Sequence, residues 1–150
     1  MNKEAFGIIE KITAYPAKGE EGIDLSEALL IENFGLKGDF HAGVGEKQIS
    51  MLCAETLEEL RTQKDKGFCF SRFKENITIR NLPSVCLRSG VRLRTGETML
   101  EISGKTKHCY RECSFYETGK TCPLAGKSLF SKVLKGGLIR IGDKVEAVYD

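Results

Sequence analysis

Polar and apolar positions alternate with a period of two along most of this chain, and a helical period appears only in short stretches. Phe6 to Tyr15 reads as an opening strand, with Ile8 and Ile12 among polar neighbours and Pro16 as its stop. Lys47 to Leu52 predicts a second strand, with Ile49 and Met51 on the face opposite Gln48 and Ser50. Asn76 to Arg80 alternates cleanly, and Val91 to Arg94 and Thr98 to Ile102 do so on either side of a turn containing Gly96. Leu138 to Ile141 and Lys144 to Tyr149 flank Gly142-Asp143, which predicts a hairpin. Helical spacing is clearest over Glu55 to Lys66, where Leu57 and Leu60 share a face and Gly67 closes the run. Asp24-Leu25-Ser26-Glu27 has capping-box spacing and predicts a short helix over Ala28 to Phe34 ended by Gly35. Ser128 to Leu134 is a third helical candidate, ended by Gly136-Gly137. About seven short strands with two or three peripheral helices predict a mainly β domain, a closed or partly closed barrel.

Composition narrows the functional classes. The 150 residues suit a single domain, and 41% hydrophobic with 29% charged residues excludes a disordered chain. Lys and Arg number 23 against 21 Asp and Glu, too even a balance for a dedicated nucleic-acid surface. No apolar run approaches the roughly 18 residues that a membrane helix needs. The first apolar run is broken by Glu10 and Lys11, so no signal peptide is expected. These readings place the protein in the cytoplasm, without nucleic-acid or membrane partners.

Six cysteines without an export signal do not imply a disulfide framework. Cys53, Cys69 and Cys86 stand singly among apolar or strand-like neighbours and read as small buried hydrophobes. Cys109, Cys113 and Cys122 instead fall within 14 residues of loop-forming sequence. Lys105, Lys107, His108 and Arg111 flank Cys109, and converging cations would lower its pKa and raise its thiolate population. Three readings stand side by side: a reactive or metal-ligating Cys109; zinc on Cys109, Cys113, Cys122 and His108; or three ordinary loop cysteines. The Cys109–Cys113 spacing is one residue wider than the usual zinc knuckle.

A second constellation is Gly35-Leu36-Lys37-Gly38-Asp39-Phe40-His41-Ala42-Gly43. Its glycines let a backbone approach a ligand or take positive φ, and Asp39 and His41, two apart, would share a side of an extended segment. The pair could cap turns, coordinate an ion or meet an anionic cofactor. Arg72 precedes a strand and could fork onto a phosphate or carboxylate, or stand as a solvated charge. Lys135-Gly136-Gly137 reads either as a helix C-cap or as a phosphate-approaching loop. No Walker loop, dinucleotide fingerprint, nucleophile elbow or HExxH motif is present, and two histidines leave little for a serine-hydrolase triad.

Taken together, these segments resemble the MOSC domain, named from the C-terminal region of molybdenum cofactor sulfurases. The resemblance spans nearly the whole chain. It rests on Gly35 to Gly43, Lys47 to Leu52, Glu75-Asn76-Ile77, Gly96 to Ile102, Cys109, and Val133 to Gly137 with Ile141 to Val145. It implies a mostly β, barrel-like fold, and a cysteine, here Cys109, that carries sulfur as a persulfide or ligates molybdenum. Spacing alone leaves Cys109 and Cys113 as alternatives for that residue. Arg72-Phe73 with Asn76-Ile77 and Ile79 also resembles a segment of the mitochondrial amidoxime-reducing component. That likeness makes Arg72 and Asn76 candidate contacts to the phosphate of the pterin cofactor, molybdopterin.

The resemblance implies a binding or carrier protein that holds molybdenum cofactor, or cysteine-bound sulfur, for a donor or acceptor protein. A small molybdenum enzyme reducing N-hydroxylated compounds is its alternative. The expected counterparts of the reductases' extra barrel domain and of the sulfurases' pyridoxal-phosphate domain are missing from these residues. On this reading Arg72, Asn76, Lys47 and the loop from Gly38 to Gly43, with Asp39 and His41, converge on one pocket with Cys109 at its edge.

Overall fold

Period-two alternation builds eleven strands and one helix among the described residues: β1 (Gly7–Ala14), β2 (Ile23–Leu25), β3 (Glu27–Ile31), β4 (Gly35–Leu36), β5 (Ile49–Cys53), α1 (Ala54–Thr62), β6 (Ile77–Arg80), β7 (Arg92–Thr95), β8 (Thr98–Ile102), β9 (Leu129–Lys135), β10 (Gly137–Arg140) and β11 (Lys144–Val148). The structure is a computed structural model. It describes residues 6–17, 20–40, 42–43, 45, 48–62, 75–83, 88–103 and 129–148.

Seven strands close a barrel in the order β1-β6-β5-β9-β8-β7-β11, with β11 returning to β1 through Gly7↔Val145 and Ile8↔Lys144. β2 continues the sheet beside the far half of β1, and β10-β3-β4 form a second, three-stranded sheet. β5 and β6 are parallel, so the chain must cross over between them; α1 lies on that crossover and packs on both strands. No helix among the described residues is long and apolar enough to cross a membrane.

The core follows from which residues the pleat turns inward. Ile9, Ile12, Ile49, Met51, Ile77, Ile79, Leu93, Leu100 and Val133 are all essentially inaccessible and form one cluster with Ala28, Leu30, Leu36 and Ile139 of the second sheet. Each large aliphatic side chain so buried contributes roughly 1.5–3 kcal/mol. A β-bulge interrupts β1: Ile9 pairs with Ile79 and Lys11 with Thr78, leaving Glu10 as the extra residue. The bulge resets the alternation, so Ile9 and Ile12 face the core where simple alternation selects Ile8 and Ile12.

Three local expectations are corrected. Ala28 to Phe34 is not a helix; its first part is β3, whose Leu30 pairs with Gly137 of β10 on one side and Leu36 of β4 on the other. Ser128 to Leu134 is not a helix either, because β9 fills the place between β8 and β5. In both, pairing on two sides overrides a weak local preference. The turn at Gly142-Asp143 does not close a hairpin: β10 pairs with β3, β11 pairs with β7 and β1, and the turn carries the chain between sheets. The hairpin at Gly96 is present, with Thr95↔Thr98 closing it and Gly96 at φ 54 in the first of two loop positions, where a II′ turn places glycine.

Candidate functional site

One rim of the barrel gathers residues from distant parts of the sequence. Ile12↔Ile77 and Met51↔Ile77 align the last part of β1 with the start of β6 and the middle of β5. Ser50↔Phe130 and Ile102↔Ser131 bring the start of β9 and the end of β8 to the same rim. Ser103 then closes the gap, its N–H and Oγ donating to the Phe130 carbonyl at 2.9 and 3.1 Å.

Asn76, immediately before β6, is the centre of this rim and is 1% exposed. Its Oδ1 accepts from the Ser50 N–H and Oγ, both at 3.0 Å. Its Nδ2 donates to the Thr13 carbonyl at 3.1 Å and to Asp39 Oδ1 at 2.9 Å. Because the Ser50 N–H only donates and the Thr13 carbonyl only accepts, the partners fix which way the amide points. Its backbone joins both neighbours too: the N–H donates to the Ser50 carbonyl at 2.8 Å, and the carbonyl accepts from the Thr13 N–H at 2.8 Å. All four hydrogen-bonding positions of the side chain are thus used within the protein.

Asp39 is the link from this node to the glycine loop. Buried itself, it also accepts at Oδ1 from the Tyr15 N–H at 2.7 Å. Tyr15 returns the contact through its carbonyl, which accepts from the Phe40 N–H at 2.8 Å. The far end of the loop is pinned by the Gly43 N–H donating to the Phe34 carbonyl at 2.7 Å. Burial, then the carboxylates of Glu75, Asp39 and Asp24, push the Tyr15 phenol up to about 12, so it remains a neutral hydroxyl near neutral pH.

The described part of the loop turns most of its backbone N–H groups inward: those of Lys37, Asp39, Phe40, Ala42 and Gly43 donate to the carbonyls of Leu29, Leu36, Tyr15, Asp39 and Phe34. Gly38 and Gly43 have φ of 88 and 154, and among the described residues beyond their chain neighbours no atom lies within 4 Å of a Cβ placed at either. The Asp39 carboxylate is turned into the protein and engaged, while Lys37 on the same loop is exposed. Among the described residues no group of three or more His, Cys, Asp or Glu side chains is placed to hold a metal ion.

Of the residues singled out from sequence, Asp39 and Asn76 are joined by a hydrogen bond, and Gly38 and Gly43 lie on the loop of Asp39. His41, Lys47, Arg72, Cys109, Cys113 and Cys122 lie outside the described residues. Residues 63–74 lead into Glu75 and Asn76, and residues 104–128 run between Ser103 and Leu129. Sequence reasoning missed Thr13, Tyr15, Ser50, Gln48 and Ser103. Gln48 and Ser50 were legible as one polar face of a strand, but that face is buried rather than wet, each residue being 1% exposed. Cys53 is half-buried against the core, in keeping with a small hydrophobe.

A family model described as the MOSC domain matches residues 37–146. Three solved structures share the fold. The YuaD protein of Bacillus subtilis aligns with a TM-score of 0.69 at 16% identity, over 97% of either chain. YiiM from Geobacillus stearothermophilus aligns at 0.65 and 18% identity over 95% of this chain and 75% of its own. YiiM from Escherichia coli aligns at 0.60 and 19% identity over 95% and 70%. Comparison with curated proteins gives no match.

Proposed function

Because this chain belongs to the MOSC domain family, which is associated with molybdenum cofactor binding and sulfurase-like function, we propose that it is a cytoplasmic carrier. It holds molybdenum cofactor, or cysteine-bound sulfur destined for it, and passes the load to a partner protein. The observation that carries this reading is the meeting of Asp39, Asn76, Ser50 and Phe130, which lie on or near the glycine loop, the Arg72 segment and the cysteine segment in sequence. Asp39 ties down the glycine loop, Asn76 begins where the Arg72 segment ends, and Ser50 pairs with Phe130 at the base of the cysteine segment.

The division of labour is chemical. The cations Lys37, Lys47 and Arg72 suit the cofactor's phosphate. The soft thiolate of Cys109 suits sulfur or molybdenum, with Cys113 and Cys122 beside it in the same segment. Asn76 and Asp39 act as positioning residues: their hydrogen bonds hold the loop against β1 and β5. Bound cofactor would supply a redox-active metal centre, and the protein's part is to seat it and yield it.

The test is metal analysis of protein purified anaerobically from a host that makes the cofactor, with Cys109→Ser beside the wild type. The carrier reading expects molybdenum or persulfide in the wild type and its loss in Cys109→Ser, with the circular dichroism spectrum unchanged. Bound zinc released by Cys109→Ser, Cys113→Ser and Cys122→Ser alike would replace the carrier with a zinc module. Turnover of N-hydroxylated compounds by the loaded protein would make it a small oxidoreductase. Cys109 alkylated by iodoacetamide no faster than free cysteine would remove the reactive thiol.

A further inference from the structure

Next to the Asn76 node lies a second buried amide, Gln48, which completes a closed ring of hydrogen bonds. Val133 of β9 donates its N–H to Gln48 Oε1 at 2.9 Å. Gln48 Nε2 donates to Asn33 Oδ1 at 3.0 Å, and the Asn33 N–H donates back to the Val133 carbonyl at 2.8 Å. Asn33 has φ 51, a left-handed conformation that Asn tolerates and that aims its short side chain at the ring. The Gln48 carbonyl lies 2.7 Å from where a Cβ on Gly35 would be, so β4 is also packed against this residue. Val133 pairs with Leu100 of β8, and on its other side, where the β5 ladder has ended, the Gln48 side chain takes the place of a partner.

The ring joins two things that nothing else joins so directly among the described residues. The turn holding Asn33 and Phe34 leads into β4 and also pins Gly43 at the end of the glycine loop. β9 is the strand by which the chain returns from the cysteine-bearing residues. We propose that Gln48 is a positioning residue that sets the separation of the glycine loop from β9. This rests on the reading that the glycine loop contributes to a cofactor or sulfur site.

Amide hydrogen exchange tests the ring without any ligand. In Gln48→Leu, exchange at Asn33 and Gly43 should quicken about tenfold, the effect of losing roughly one hydrogen bond. The Ile9 amide, bonded to the Asp143 carbonyl at the opposite rim, should not change. Gln48→Glu separates position from mere filling of space. Its ionised carboxylate can accept from Val133 but cannot donate to Asn33, whereas its protonated form can do both. Protection at Asn33 and Gly43, corrected for intrinsic exchange, should therefore return on acidification in Gln48→Glu and not in Gln48→Leu. Should Gln48→Leu fail to fold, Asn33→Gly keeps the left-handed turn, deletes the acceptor, and is expected to free Gly43 in the same way. Unchanged exchange at Gly43, equal quickening at Ile9, or no pH rescue would overturn the proposal. Molybdenum retention through dialysis separates the two readings. A wild type that holds none defeats the carrier assignment while the exchange data still decide Gln48. A loaded wild type should lose metal several-fold more slowly than Gln48→Leu.

Discussion

The two rims of the barrel are built from the same strands yet hold their polar groups in opposite ways. At one rim Asn76, Ser50, Gln48 and Asp39 are buried, and their hydrogen bonds run between segments far apart in sequence. At the other, Thr95 and Thr98 are buried within one hairpin, but the charges lie in water. Arg80 meets Glu10 at 2.7 Å, Glu58 at 2.9 Å and Glu55 at 3.6 Å, all partly exposed, and the Glu10 and Glu58 hydrogen bonds push its already high pKa further up. A charged contact that breaks at the second rim is replaced by water. A polar contact that breaks at the first leaves orphaned groups in a dry interior, which costs far more than the contact itself was worth. The barrel thus has a rim whose long-range polar geometry is enforced and a rim whose charged contacts are only convenient.

Asn76→Ala should show this most strongly. It strips partners from the Ser50 N–H, the Thr13 carbonyl and the buried Asp39 carboxylate at once, and is expected to lower stability by on the order of 3–5 kcal/mol in urea unfolding. A loss under about 1 kcal/mol would mean that water reaches the node and that the rims do not differ. Gly96→Ala probes the second rim where it is tight. Its Cβ would lie 2.5 Å from the Leu138 carbonyl oxygen at a φ of 54, so a loss of about 1–3 kcal/mol is expected, with exchange at Gly43 unaltered. Quickened exchange at Gly43 in that variant would show the rims to be coupled.

Tyr15 gives the contrast a pH dependence. With its pKa raised from 10.0 to about 12, the folded state keeps a proton that the unfolded chain releases. The stabilisation is therefore complete below pH 10 and is lost between about 10 and 12. Tyr15→Phe should flatten that part of the alkaline unfolding curve, and ultraviolet titration should find Tyr15 ionising after an ordinary tyrosine. Normal titration would show the rim around Asp39 to be solvated. Arg80→Ala should have the smallest effect, a slight fall in melting temperature that disappears in high salt. An effect that persists there would place this network among the enforced contacts.

The sequence alone determined the period-two strands, the β7–β8 hairpin at Gly96, the helix after β5 and the glycine loop, because each depends on neighbours within a few residues. It also carried the family resemblance, since ordered blocks of residues survive as text. Tertiary structure decided the rest. Glu27 to Ile31 and Leu129 to Lys135 are strands because partners wait on both sides, and no local signal reports a partner. Alternation places Gln48 and Ser50 on one face but does not say whether that face meets water. That depends on β9, the Asn33 turn and Asn76 arriving from elsewhere in the chain. The bond from Asn76 to Thr13 spans 63 residues, and the one from Val133 to Gln48 spans 85. Local propensity acts over a turn or two, whereas burial is a property of the closed barrel, so the polar rim exists only once the strands have met.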